Sequence, residues 1–169
     1  QMRLPCANKL SKFKKQHLFW RNLRPGEIDI YITMPEIEGL SVAGSGDILA
    51  ENDIKAKNLA LSVSGSGDIN FENLKAQKVK ASIAGSGEIE IDGGDANELS
   101  ISISGSGNVD AEDFEVNRVS VRVSGSGNSR VFANEHLDVS VAGSGDVYYN
   151  GDPNVNSSVS GSGTIKSIR

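Results

Sequence analysis

Apolar and polar residues alternate along most of this chain, and the alternation restarts after a Gly-Ser-Gly triplet that occurs seven times. The triplets begin at residues 44, 65, 85, 105, 125, 143 and 161, so successive copies lie 21, 20, 20, 20, 18 and 18 residues apart. An internal repeat of this length is typical of a solenoid, in which each unit packs on its neighbours.

The residues around each triplet predict short strands with one buried face. The position four residues before the first glycine is apolar in six of the seven copies, and the next residue is usually serine. This period of two is that of a half-buried strand. After the triplet the alternation resumes, with Ser129 the one polar residue among aliphatic equivalents. The position two residues before the first glycine is always β-branched and comprises Val42, Val63, Ile83, Ile103, Val123, Val141 and Val159.

Stacking these units predicts an all-β, single-stranded parallel β-helix of about seven rungs, with repeats of 18–21 residues. Each strand would pair with its equivalent one rung away, and like residues would form ladders through the core. We expect rungs at 40–60, 61–80, 81–100, 101–120, 121–138 and 139–156, with a partial rung at 157–169. A sandwich or barrel of hairpins is the other all-β architecture, but hairpins do not need the same residue types at the same phase.

Charge divides the 169-residue chain into two parts. Residues 1–26 contain seven basic and no acidic residues, whereas the remainder contains ten basic and 22 acidic residues, so the net charge is −5. We therefore predict an atypical basic segment at 1–27, either a cap or the remnant of a truncated region, and a β-helix domain at 28–169. An acidic rod is a poor nucleic-acid binder. Cys6 is the single cysteine, so no intramolecular disulfide is expected.

Three stretches resemble a known family. They are Ile30-Tyr31-Ile32-Thr33-Met34-Pro35, Leu40 to Ile48 (LSVAGSGDI) and Leu59 to Ile69 (LALSVSGSGDI). Together they look like the putative auto-transporter adhesin, head GIN domain family. The resemblance implies a right-handed parallel β-helix, exported by Bacteroidetes-type bacteria to the cell envelope or surface, in the periplasm or at the outer membrane. It implies no catalytic residues, and the basic start is followed by no apolar run of signal-peptide length.

One polar ladder is expected beside the glycines, formed by Asp47, Asp68, Glu88, Asn108, Asn128 and Asp146. A divalent cation could bridge stacked carboxylates, but calcium-binding β-rolls have a nine-residue period and denser aspartate. We favour short side chains that bond to turn backbone. The candidate ligand-facing residues are Tyr148, Asp47, Asp68 and Glu88. Alternation places Tyr148 outward and Tyr149 inward, and the other three residues belong to the polar ladder.

No catalytic, metal or cofactor site is predicted. The triplets lack the lysine-serine pair of a phosphate-binding loop, and only His17 and His136 could act as a base for the repeated serines. The sequence therefore favours a non-enzymatic, adhesin-like envelope protein whose partner is a host or bacterial surface protein or glycan. We predict no transmembrane segment and no nucleic-acid partner. The alternatives are a polysaccharide-active β-helix enzyme and a structural protein that self-assembles through its end rungs.

Overall fold

The computed structural model describes residues 2–3, 30–32 and 36–168, and within these residues every regular element is a strand. The thirteen strands are β1 Met2–Arg3, β2 Gly39–Gly44, β3 Ile48–Ala50, β4 Ile54–Gly65, β5 Ile69–Phe71, β6 Leu74–Gly85, β7 Glu88–Ile91, β8 Gly94–Gly105, β9 Asn108–Gly125, β10 Ser129–Gly143, β11 Val147–Asn150, β12 Asn154–Gly161 and β13 Ile165–Ser167.

The strands stack in two parallel columns that wind around one axis. The long column runs through β2, β4, β6, β8, β9, β10 and β12, and the short column runs through β3, β5, β7, β9, β10, β11 and β13. Both columns contain β9 and β10 because these strands continue through the turn that separates the columns in the other rungs. The all-β parallel β-helix predicted from the repeat is confirmed.

The predicted number of rungs needs a small correction, from about seven to about six turns. Seven triplets mark seven corners, but seven corners along one chain bound only six complete turns. Only β13 follows the seventh corner, and it adds a strand without closing another turn.

Each regular rung has three straight segments and therefore three corners. The first corner is the Gly-Ser-Gly triplet, and the second is the turn between a short strand and the next long strand. The third is a bend within the long strand, where two consecutive residues face outward, as Lys57 and Asn58 do in β4. The same bend occurs at Gln77 and Lys78 in β6. This third corner contains no glycine or proline.

The change of period from 20 to 18 residues occurs inside β10. Its pairing with β9 begins with Ser129 opposite Val109 and ends with Gly143 opposite Gly125. Two irregularities, after Val131 and after Ala133, absorb the difference. The following rung keeps the 18-residue offset throughout, so it needs no further adjustment.

The aliphatic ladders form the core, as predicted. In the column that starts at Val42, six members are buried and only Val159, in the last stretch, is 42% exposed. The column that starts at Ile48 is buried from Ile48 to Val147. It includes the hydroxyl of Ser129, which has no hydrogen-bond partner among the described residues. Two phenylalanines, Phe71 and Phe114, also lie in the core with no exposed surface.

The triplet corners are packed too closely for any side chain. The first glycine of each has a positive φ, for example 140° at Gly85, which L-residues rarely adopt. At Gly87, the second glycine of that triplet, a methyl group would overlap the carbonyl oxygen of Gly67 and lie 2.7 Å from Cγ1 of Val63. The carbonyl of Gly65 accepts the N–H of Ser86 at 2.9 Å, and equivalent bonds recur along the stack.

Most of the basic segment predicted at 1–27 lies outside the described residues, as do Cys6 and His17. Its one described element is β1, which pairs antiparallel with β3 through Met2 opposite Ala50 and Arg3 opposite Leu49. This pairing adds a strand to the edge of the short column. The role of the segment as a cap stays a prediction.

The corner geometry predicts a large difference between two glycine-to-alanine substitutions. Gly87→Ala should lower the free energy of unfolding by about 3 kcal/mol or more, because backbone atoms of the adjacent rung cannot retreat without breaking register. Gly93→Ala should change it by less than about 1 kcal/mol, since its methyl would lie 3.5 Å from the carbonyl oxygen of Glu72. Urea unfolding of both variants measures the difference, and equal losses would refute the close-packing explanation.

The buried hydroxyl predicts a stabilising substitution. Ser129→Val should raise the free energy of unfolding by about 1 kcal/mol, because it removes an unpaired polar group from an apolar column. Its neighbours Val109 and Val147 show that the position has room for valine. The matched control is Ser140→Val on the exposed face, which should have an effect within about 0.5 kcal/mol. Destabilisation by Ser129→Val would mean that the hydroxyl is bonded in solution.

Candidate binding surface

The predicted polar ladder exists and bonds to the backbone of the next rung. The Oδ1 atom of Asp47 accepts the N–H of Asp68 at 3.1 Å, and that of Asp68 accepts the N–H of Glu88 at 2.8 Å. Oδ1 of Asp146 accepts both the N–H and the hydroxyl of Thr164, at 2.8 and 2.7 Å. These hydrogen bonds, led by that from the Thr164 side chain, hold the pKa of the Asp146 carboxyl below its usual range. We call this set, from position 47 to 164, the corner ladder.

Glu88 interrupts the corner ladder. Its longer side chain accepts no bond from the next rung, where the N–H of Asn108 bonds instead to the carbonyl of Gly87 at 3.2 Å. Partial desolvation, followed by the charges of Asp68, Glu90 and Asp110, raises the pKa of the Glu88 carboxyl. The nearby Arg130 opposes this rise. Hydrogen bonding between rungs therefore does not explain why a glutamate occupies position 88.

The predicted ligand-facing residues do not form one compact site. Asp47, Asp68 and Glu88 follow one another along the corner ladder, whereas Tyr148 lies in the adjacent column between Arg130 and Lys166. Tyr148 is half-buried and lines a recess of about 220 Å³, together with Glu88 and other residues. Tyr149 faces the core, but it too is only half-buried. A ligand-facing role for these residues stays a prediction.

A much larger depression crosses the rungs at the third corner. It has a volume of about 1260 Å³ and spans residues from Glu36 to Asp138. We call it the lysine trough, because Lys55, Lys57, Lys78 and Lys80 line its first rungs. Sequence reasoning missed this surface. The available signal was that five of the ten basic residues after position 26 fall between 55 and 80.

Opposite charges on adjacent rungs neutralise one another along part of the trough. Glu98 accepts a bond from Lys78 and another from Arg118, both at 2.7 Å. These hydrogen bonds, from Lys78 first, hold the pKa of Glu98 below its usual range. Lys75 pairs likewise with Asp95 at 3.1 Å. Exposed pairs of this kind add little stability, so their main effect is to cancel charge along the rod.

The described residues contain no group of three or more histidine, cysteine, aspartate or glutamate side chains arranged to hold a metal ion. In the same part of the chain no helix is long and apolar enough to cross a membrane.

These features define a parallel β-helix with stacked glycine corners and an open, charged exterior. The family model described as "Putative auto-transporter adhesin, head GIN domain" matches residues 8–153, and the chain belongs to this family. The resemblance noted in the sequence is confirmed. The match begins inside the basic segment, at residue 8.

Solved structures of bacterial proteins have the same fold. One, named a putative lipid binding protein from Parabacteroides distasonis, has a TM-score of 0.76 and 32% identity and covers 78% of this chain. A putative adhesin from Bacteroides fragilis has a TM-score of 0.75 and 32% identity over 79% of this chain. The chain spans only 53% and 62% of the lengths of these two proteins. No curated protein matches the chain.

The interruption at Glu88 predicts opposite contributions from charge and from side-chain length. Glu88→Gln should stabilise the fold at pH 7 by a few tenths of a kcal/mol, because it removes a partly desolvated charge near other carboxylates. Since the pKa of Glu88 is raised on folding, its ionised form is the one that destabilises the fold. The advantage of Glu88→Gln should therefore disappear as the pH falls to about 3.5.

Glu88→Asn should add a second gain that does not depend on pH. The shorter amide can accept the N–H of Asn108, as Asn108 itself accepts the N–H of Asn128 at 3.1 Å. We expect about 0.5 kcal/mol beyond the glutamine variant. Denaturant unfolding at both pH values separates the two effects, and identical behaviour of the two variants would show that ladder bonding contributes nothing at this rung.

Proposed function

We propose that this chain is a non-enzymatic, adhesin-like domain of the cell envelope, whose β-helix exterior binds a protein or glycan on a surface. The carrying observation is the lysine trough, an open depression that repeats its geometry from rung to rung instead of enclosing a small molecule. Membership of the adhesin family and the naming of its structural relatives support the same proposal.

The proposal includes export to the envelope, at the periplasmic or outer-membrane surface. Support comes from the family description, and the corner ladder contributes a further physical argument. Side chains of the corner ladder bond to the backbone of the next rung at every described step except that of Glu88, and these bonds stabilise the rod.

One structural relative is named a lipid binding protein, which raises the question of an acyl-chain site. In this chain the interior is filled by aliphatic ladders and by Phe71 and Phe114, all fully buried. The smaller depression is lined almost entirely by charged and polar residues, and thirteen of the twenty residues that line the lysine trough are charged or polar. These observations favour a polar ligand over an acyl chain.

Binding by the purified chain to an array of glycans and matrix proteins tests the proposal. We expect saturable binding to at least one surface polymer, lost when the chain is unfolded by heat, because the exterior exists only in the folded rod. An array with no specific binding would contradict the proposal.

The two alternative functions have their own measurements. A polysaccharide-active enzyme would release new reducing ends or unsaturated sugars from acidic polysaccharides during incubation with the chain. A self-assembling protein would sediment as concentration-dependent oligomers, whereas a monomer at high concentration would exclude that alternative. Both alternatives stay predictions.

A further inference from the structure

We propose that the lysine trough binds a single chain of an anionic polysaccharide, whose carboxylate or sulfate groups contact Lys55, Lys57 and Lys80. This inference rests on the proposed adhesin-like function and names its site and its ligand class.

The first argument is a failure of charge compensation. At several positions adjacent rungs place opposite charges together, as Arg130 does with Asp110 at 2.9 Å. Carboxylates also stand opposite carboxylates, as Asp95 does with Glu115. Among the described register pairs of strands, the one pair of two cations is Lys55, which lines the trough, with Lys75 at its edge. Like charges directly opposite each other destabilise a sheet. Of these two lysines, only Lys75 has a described carboxylate partner, which is Asp95.

The second argument is the contrast with the rest of the surface. Beyond position 26 the chain has 22 acidic and ten basic residues, yet five of those basic residues lie on two adjacent rungs. Lys55, Lys57 and Lys80 are exposed, and none has an ion pair with a described residue. A local group of cations on an acidic rod concentrates an anionic ligand at one place and repels it elsewhere.

The carboxylates that line the trough cancel only part of the positive potential of its lysines. Glu98 is already shared between Lys78 and Arg118, and the carboxylate of Asp138 accepts a bond from the amide of Asn156 at 3.0 Å. The remaining lining carboxylates are Glu36 and Glu38, at the end of the trough nearest the lysines.

The third argument concerns shape. Adjacent rungs lie roughly 4.8 Å apart. An extended polymer that follows the axis of the rod can therefore contact Lys55 and Lys57 on one rung and Lys80 on the next. The trough is concave because each long strand bends there, and a single extended chain can enter a concave surface. A single anionic glycan chain fits these constraints best.

The test measures binding of the folded chain to polygalacturonate, dextran sulfate and neutral dextran by calorimetry. We expect binding to one or both anionic polymers, no binding to neutral dextran, and weakening as salt rises. The variant Lys57→Gln with Lys80→Gln should weaken binding about tenfold. The matched control, Arg122→Gln with Lys166→Gln, removes the same charge from other exposed faces and should change binding by less than about twofold.

A variant that removes negative charge from the trough provides a second test. Glu36→Gln with Glu38→Gln removes the two carboxylates that compete with the ligand, so it should strengthen binding of the anionic polymers. If the trough variant and the control variant weaken binding equally, the proposed site is wrong, because only the net charge of the chain would then determine binding. A trough-dependent preference for vesicles of phosphatidylcholine with phosphatidylglycerol, or for duplex DNA, over both polymers would overturn the ligand class.

These outcomes differ from a failure of the proposed function. If the array shows binding to a neutral glycan or a protein, and that binding does not respond to Lys57→Gln with Lys80→Gln, the adhesin-like function stands and the trough inference is wrong. If neither the array nor the anionic polymers show binding, both are wrong.

Discussion

The stacked glycine corners are the contact on which the rest of this structure depends. At each corner the carbonyl oxygen of one glycine occupies the space that a side chain on the next rung would need, as Gly65 does for Gly85. The same carbonyl accepts the N–H of the serine in the next triplet, Ser86. Because this contact admits no residue but glycine and no shift along the strand, it aligns every rung with its neighbour.

Alignment has opposite consequences inside and outside the rod. Inside, it places aliphatic residues on like residues, which is how a thin core of valine, isoleucine and leucine excludes water. Outside, it places like charges on like charges unless the sequence varies. Three features of this chain limit such repulsion. Carboxylates and amides of the corner ladder accept backbone N–H groups, and opposite charges alternate at Glu98 and Arg118. In addition, serines occupy many outward positions of the long strands. Lys55 and Lys75 place two cations on adjacent rungs at the lysine trough, and of the two only Lys75 has a described carboxylate partner.

The repeat made most of the fold predictable, because the phase of the glycines and of the β-branched residues is visible in one sequence. The corner ladder was predictable for the same reason, including its hydrogen bonds to backbone N–H groups at the corners. The bend in the long strands was not predicted, since it carries no glycine or proline and shows only as two consecutive outward residues, such as Lys57 and Asn58. Without that corner, the lysines of neighbouring rungs could not be placed on one concave surface.

In a solenoid, residues that obey the repeat are explained by stacking alone, so function is better sought where the repeat is broken. Ser129 breaks it inside the core, where an unpaired hydroxyl can only cost stability. Glu88 breaks it at the surface, but one carboxylate beside other carboxylates recruits no anion and forms no metal cluster with its described neighbours. Lys57 and Lys80 break it on exposed, adjacent rungs along an open depression, where a ligand can reach them. Of these departures, only the lysines would gain stability from an anionic partner, and this makes the trough the best candidate for a binding surface.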